Sequence, residues 1–241
     1  MIKIENVVMP SPEQWAAVIR GMRNPKNSWD LSDSYTTYIE DPQTLERASY
    51  QFFVGDADKK LMQNLANAGS DHGKFLRMIP VYLDITAPLY WWKEFDTYKV
   101  GTVANSCSTM HKIHAKEFTK DDFSFDEDLF HVLIDHLDIS EEDLVSGDNF
   151  YLRFPFESIV QNHIYVCECL RQMYLKTNDK RCWQALIQTL GESYNQRRTV
   201  MLNYQVLKNM YHARKNHKLA EWRELCAWIE SLPHSDLIIG G

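Results

Sequence analysis

The stretch RMIPVYLDIT, residues 77–86, places Ile79, Val81, Leu83 and Ile85 on one face at a period of two, the clearest strand pattern in the chain. Thr86 then offers a helix N-cap and Pro88 falls in a first helical turn, so the strand should empty directly into a helix from residue 89 to about 98. That helix is crowded with Tyr90, Trp91, Trp92, Phe95 and Tyr98, and a loop of mostly short polar side chains follows it. An alternating strand that runs straight into a bulky aromatic helix points to a mixed fold.

The rest of the chain supplies more helices than strands. Residues 2–8 alternate as a first strand, Pro10 and Pro12 end it, and a short helix is expected over 13–22. Residues 23–35, RNPKNSWDLSDSY, read as a loop, and 61–68 as a helix with Gly69 at its C-cap. Downstream, helical patterns cover 126–137, 158–175, 181–190, 199–214 and 219–232. The class is therefore α+β, a small, mostly antiparallel sheet packed with several long helices. No repeat, low-complexity tract or Gly/Ser linker divides the 241 residues, so 1–241 reads as a single domain.

Composition excludes several functions. A 44% apolar and 12% aromatic chain can build a sizeable core. Its formal charge of −7 leaves no excess of cations to displace counterions, which argues against bulk affinity for nucleic acid or an anionic membrane. A local basic pocket for one phosphorylated small molecule is still allowed. No apolar run approaches the roughly 18 residues of a membrane span, and the start MIKIENVVMP lacks a signal peptide's apolar centre, so a cytoplasmic location is expected. Five cysteines, Cys107, Cys167, Cys169, Cys182 and Cys226, cannot all pair and are read as reduced thiols.

In the segment TVMLNYQVLKNMYHARKNH, residues 199–217, a helix would set Val200, Tyr204, Leu207 and Tyr211 in one apolar stripe. Asn203, Arg214 and, were the helix to persist, His217 would lie beside that stripe, where they could offer donors to an anion or simply be solvated.

The order of these features resembles the flavin-dependent thymidylate synthases. The shared order is a helix ending in Gly, a His-containing turn, the alternating strand, Ala-Pro, an aromatic helix, a polar loop and a late Asn-x-x-x-Leu-x-Asn-x-x-x-x-Arg helix. Ala87, Pro88 and Tyr90 match the junction of that family, and Asn203, Leu207, Asn209 and Arg214 match its late helix, with His217 within one position of the family's His. The family signature R-H-R-x-x-S-x-N-E-x-S-x-R falls on residues 97–109, TYKVGTVANSCST. Lys99 stands for the second Arg and Thr102 for the first Ser, whereas Thr97, Tyr98 and Thr109 replace Arg, His and Arg; Asn105 and Ser108 keep the Asn-x-x-Ser spacing with a slip of one residue. The match covers about a third of the chain.

The resemblance implies a homotetramer with FAD between subunits, methylation of dUMP using methylenetetrahydrofolate, and NADPH as reductant. It also implies that His72, Lys99, Thr102, Asn105, Asn203, Asn209 and His217 contact FAD. Ser108 and Arg214 would hold the pyrimidine nucleotide, with Arg197 of the Arg197-Arg198 pair as a substitute cation. The aromatic helix would then wall an apolar slot, or its rings are core or subunit-interface packing. With three cationic or imidazole signature positions lost, affinity for phosphate should be weaker. A second function is a nucleotide-binding or structural oligomer of the same fold that has lost flavin chemistry. His111-x-x-His114 lacks a third ligand for a metal, Cys107 could be a nucleophile or a bystander, and His131 and His136 with Asp135 and Asp138 fit a solvated helix face.

Overall fold

The computed structural model describes residues 2–39, 49–125 and 156–240. The expected helix over 126–137, with its histidines, lies outside them. By their contacts the residues group into two compact units, one formed by Met1–Thr86, Glu94–Asn105 and Arg198–Gly241, the other by Ala87–Lys93 and Ser106–Arg197.

The chain begins with β1 (Lys3–Val8) and α1 (Pro12–Arg23). Ser11 starts α1 through a reciprocal capping box with Gln14, which satisfies two backbone donors at once. The segment expected as a loop ends in strand β2 (Tyr35–Ile39), which pairs antiparallel with β3 (Ser49–Phe53), with Tyr35 stacked on Phe53 at 5.5 Å and Tyr38 edge-on to Tyr50 at 5.3 Å. Both strands expose large aromatics, so no one-sided apolar alternation marks them in the sequence. Next comes α2 (Asp56–Asn67), whose first turn is capped by the Asp33 carboxylate. At its other end Gly69 adopts φ +100, the left-handed turn expected of a C-cap region.

A buried ion pair pins this region. Arg23 donates to Asp58, and both side chains are at most 5% exposed. Asp58 also accepts from the Ser32 and Ser34 hydroxyls at 2.7 and 2.6 Å. Burial alone would raise the Asp58 carboxyl, but those hydroxyls and the guanidinium outweigh it and hold the group below its usual range.

Then β4 (Pro80–Pro88) carries Val81, Leu83 and Ile85 inward, each at most 1% exposed, while Tyr82 faces out. It pairs antiparallel with β1, and a bulge at Asn6, φ 52, lets that side chain donate to Asp84. Thr86 does not cap a helix. The strand continues to Pro88, and α3 (Leu89–Phe95) starts at once, its Leu89 and Tyr90 amides donating to the carbonyls of Tyr194 and Glu192 at 3.0 and 3.1 Å. Backbone from 192–194 thus does the work of the expected cap.

After β5 (Val103–Ser106) come two helices of the second unit, α4 (Phe156–Thr177) and α5 (Lys180–Thr189). They close a core with Ile113, Phe118, Phe123, Cys167, Leu186 and Leu190. In the same unit the buried Trp92 indole donates to the Gln196 carbonyl at 2.9 Å. Burial raises Cys167 to about 11, and Tyr194 to about 12 with Asp122 and Cys107 adding to it.

The late segment differs from the expected helix. Residues up to Asn203 form β6 (Asn195–Asn203), and only then does α6 (Tyr204–Arg214) begin. Val200 and Leu202 are buried at a period of two, so the apolar stripe is a strand face joined to a helix face. The chain ends with α7 (Ala220–Glu230) and α8 (Asp236–Ile239). Four strands hydrogen-bond in the order β1-β4-β6-β5, giving the expected α+β class with a small antiparallel sheet. Among the described residues no helix is long and apolar enough to cross a membrane.

Candidate functional site

The polar loop after α3 builds a recess in the first unit. Beyond Phe95 the Thr97 and Tyr98 amides donate back to the carbonyls of Glu94 and Phe95, tightening the helix end three residues earlier than expected. Gly101 then turns the chain at φ +81 into β5. The result is a recess of about 310 Å³ lined by Phe95, Asp96, Tyr98, Lys99, Thr102, Ala104 and Arg198.

Its chemistry is mixed. Lys99 is exposed at the lining. Arg198 donates to Asp96 at 2.8 Å with its side chain only 15% exposed. The Thr102 hydroxyl is buried and has no hydrogen-bond partner among the described residues. Such a hydroxyl is costly unless something answers it, which marks it as a candidate ligand contact.

The loop and the start of α6 meet at Gly101. Asn203 is the N-cap of α6, its Oδ1 accepting from the Val206 amide at 3.1 Å. A Cβ placed on Gly101 would come 2.8 Å from the Asn203 amide nitrogen, so only glycine permits this approach. The family resemblance puts both the loop and this amide on an FAD held between subunits. In the structure they adjoin within one chain.

Beside the recess lies a closed polar network. Arg214 donates from Nη1 to Glu94 Oε2 at 2.7 Å and from Nε to the Tyr98 hydroxyl at 3.0 Å. Its guanidinium sits 4.7 Å over the Trp222 ring, and the Trp222 indole donates to the same Glu94 oxygen at 2.8 Å. His217 Nε2 stands 3.5 Å from that oxygen, held by the Leu219 amide on its Nδ1.

The predicted residues therefore separate. Lys99 and Thr102 share the recess, Asn203 adjoins its loop, and Arg214 and His217 converge on Glu94. His72 lines a different recess of about 490 Å³ in the same unit, with Asn24, Lys26, Asp71, Lys74 and Phe75. Asn209 is exposed on α6, bound to Gln205, and Asn105 is exposed on β5. In the second unit, Ser108 folds its hydroxyl back to accept the Met110 and His111 amides, and the Arg197 carbonyl accepts from Cys107. Of the arginine pair, Arg198 is the one at the recess. Glu94 and Trp222 escaped the sequence reading because their partnership with Arg214 is tertiary, with no spacing signal. His114 meets Tyr174 edge-on at 4.9 Å, and the described residues hold no cluster of three metal-ligating side chains.

The chain matches no protein-family model and no curated protein. It is similar to solved structures of flavin-dependent thymidylate synthases, and at this identity that likeness shows the fold. One is the flavin-dependent thymidylate synthase ThyX from Helicobacter pylori complexed with FAD and dUMP, at 17% identity and TM-score 0.60, covering 99% of this chain and 97% of that one. A second structure of thymidylate synthase X from the same organism, with FAD and dUMP, gives 16% identity and TM-score 0.62 over 99% and 98%.

Proposed function

We propose that the chain is a flavin-dependent enzyme acting on a pyrimidine nucleotide, methylating dUMP to dTMP or making a related modification. The observation that carries this reading is the junction of the signature loop with Asn203 at Gly101, beside a recess lined by Lys99, the Arg198–Asp96 pair and an unanswered hydroxyl. These residues fit a phosphorylated planar ligand. Lys99 supplies an exposed charge for a pyrophosphate, Arg198 adds a guanidinium paired with Asp96, and the Thr102 hydroxyl supplies a donor. Bound FAD would supply hydride chemistry that no side chain in the recess can. The chain's own part is to bind, to orient and, through Phe95 and Tyr98, to keep one wall apolar.

His72 belongs to a separate recess, and a flavin held between two copies of the chain could touch His72 of one and Lys99 and Thr102 of the other. A homotetramer with the cofactor between subunits has that arrangement. Methylenetetrahydrofolate as methyl donor and NADPH as reductant complete the proposed reaction, in a cytoplasmic setting.

The test is flavin titration. The purified protein should be yellow or quench added FAD, and Lys99→Gln with Thr102→Val should weaken that binding about tenfold or more, given the strength of charge-assisted bonds. A colourless protein that leaves excess FAD unbound would refute the flavin reading. In that event a nucleotide-binding or structural oligomer without flavin chemistry becomes the better account. That second reading is favoured by Thr97, Tyr98 and Thr109 at cationic or imidazole signature positions and by the engagement of Arg214 with Glu94. Binding of dUMP in the absence of FAD would support it.

A further inference from the structure

We infer that Glu94 is a specificity-determining residue, an internal carboxylate that occupies Arg214 and sets how strongly an anionic group can bind there. One oxygen, Oε2, accepts from Arg214 at 2.7 Å and from Trp222 at 2.8 Å, with His217 Nε2 at 3.5 Å. Arg214 is held from three directions, by that carboxylate, by the Tyr98 hydroxyl and by the Trp222 face at 4.7 Å. Its side chain is 19% exposed and that of Glu94 35%, so the pair is reachable by a small ligand yet sheltered enough for its charges to matter.

A guanidinium offers five donors, and the bonds of Arg214 to Tyr98 and Glu94 use two of them. An anion could therefore reach Arg214, but only by displacing Glu94 or by lying beside a like charge. Either route weakens binding, and the same carboxylate leaves neutral hydrogen-bonding groups unaffected. Glu94 thus filters by charge at a position where a bare arginine would attract phosphate. The inference rests on the proposed function only for which anion arrives, a nucleotide phosphate.

The test is Glu94→Gln, which keeps an oxygen for Trp222 and Arg214 but removes the charge. Titration with inorganic phosphate, followed by the intrinsic fluorescence of Trp222 against a Trp222→Phe control, should give at least tenfold tighter binding in E94Q than in the unaltered protein. Adding Arg214→Gln to E94Q should abolish that gain. Should E94Q fail to fold, Glu94→Met, which also removes the charge at similar volume, should shift phosphate binding in the same direction. Phosphate affinity equal within twofold, or a gain that survives the loss of Arg214, overturns the inference. A gain for phosphate with no binding of dUMP by either form leaves Glu94 in its role and refutes the pyrimidine-nucleotide reading instead.

Discussion

Replacing Gly101 with alanine probes the contact on which the site depends. Two costs combine. A non-glycine residue in the left-handed region loses about 1–2 kcal/mol, and Gly101 sits at φ +81. The new Cβ would also come 2.8 Å from Asn203 Nδ2 and 3.3 Å from Val206 Cγ2. Asn203 cannot swing away without releasing the Val206 amide, and losing such an N-cap costs about 1 kcal/mol. The sum is about 2–3 kcal/mol, which for a chain of this size lowers Tm by about 4–12 °C. Gly69→Ala provides the control, because its φ of +100 carries strain while nothing lies within 4 Å of the added carbon. Thermal melts should place Gly101→Ala about 2–4 °C below Gly69→Ala, the share of the cap alone. Hydrogen exchange should speed up in the first turn of α6 in the Gly101 variant only. Equal melting of the two variants, with the Val206 amide still protected, would refute the reasoning.

Other outcomes follow from the buried polar groups. Asp58→Ala should destabilise the protein by about 3–5 kcal/mol, since it leaves the Arg23 guanidinium buried without its partner; a denaturant midpoint close to that of the unaltered chain would contradict this. The folded Asp58 carboxyl lies below its usual 3.8, so its contribution is complete above that pH and is lost as pH falls below it. His234 behaves in the same sense nearer neutrality. Burial, in a T-shaped contact with Trp15 and near Lys59, outweighs Asp236 and keeps it below 6.5, so stability should drop as pH falls under 6.5. His234→Asn, which tolerates the φ of 55, should flatten the melting temperature between pH 8 and 5. With a thiol reagent at pH 8, exposed Cys107 should react in the folded protein, while Cys167 and Cys226, each raised to about 11 by burial, should react only on unfolding.

What the sequence disclosed follows from whether an element's chemistry is local. The alternation in β4 has one buried face, and its residues are the core residues predicted. The helices α4, α5 and α7 likewise show their periodicity. The strand pair β2–β3 does not, because Tyr35, Tyr38 and Tyr50 are all exposed and mimic a polar loop. The junction of β6 and α6 was misread because Val200, Tyr204, Leu207 and Tyr211 satisfy a helical spacing by coincidence. Asn203 was the available correction, being a strong N-cap residue placed before the helical run. At the candidate site, the family pattern singled out Lys99, Thr102 and Asn203, which the structure brings to one recess and its loop. Glu94 was not legible, since a carboxylate on α3 says nothing locally about an arginine at the end of α6.

The shared position of Asn203, last residue of β6 and cap of α6, leaves the joint no slack. One residue inserted ahead of Tyr204 would rotate the helix by about 100° and carry Leu207 and Met210 out of the core. Length variation in this protein should therefore be forbidden at that point and tolerated in exposed loops, so a library of random insertions should return a gap there as sharp as any in the chain.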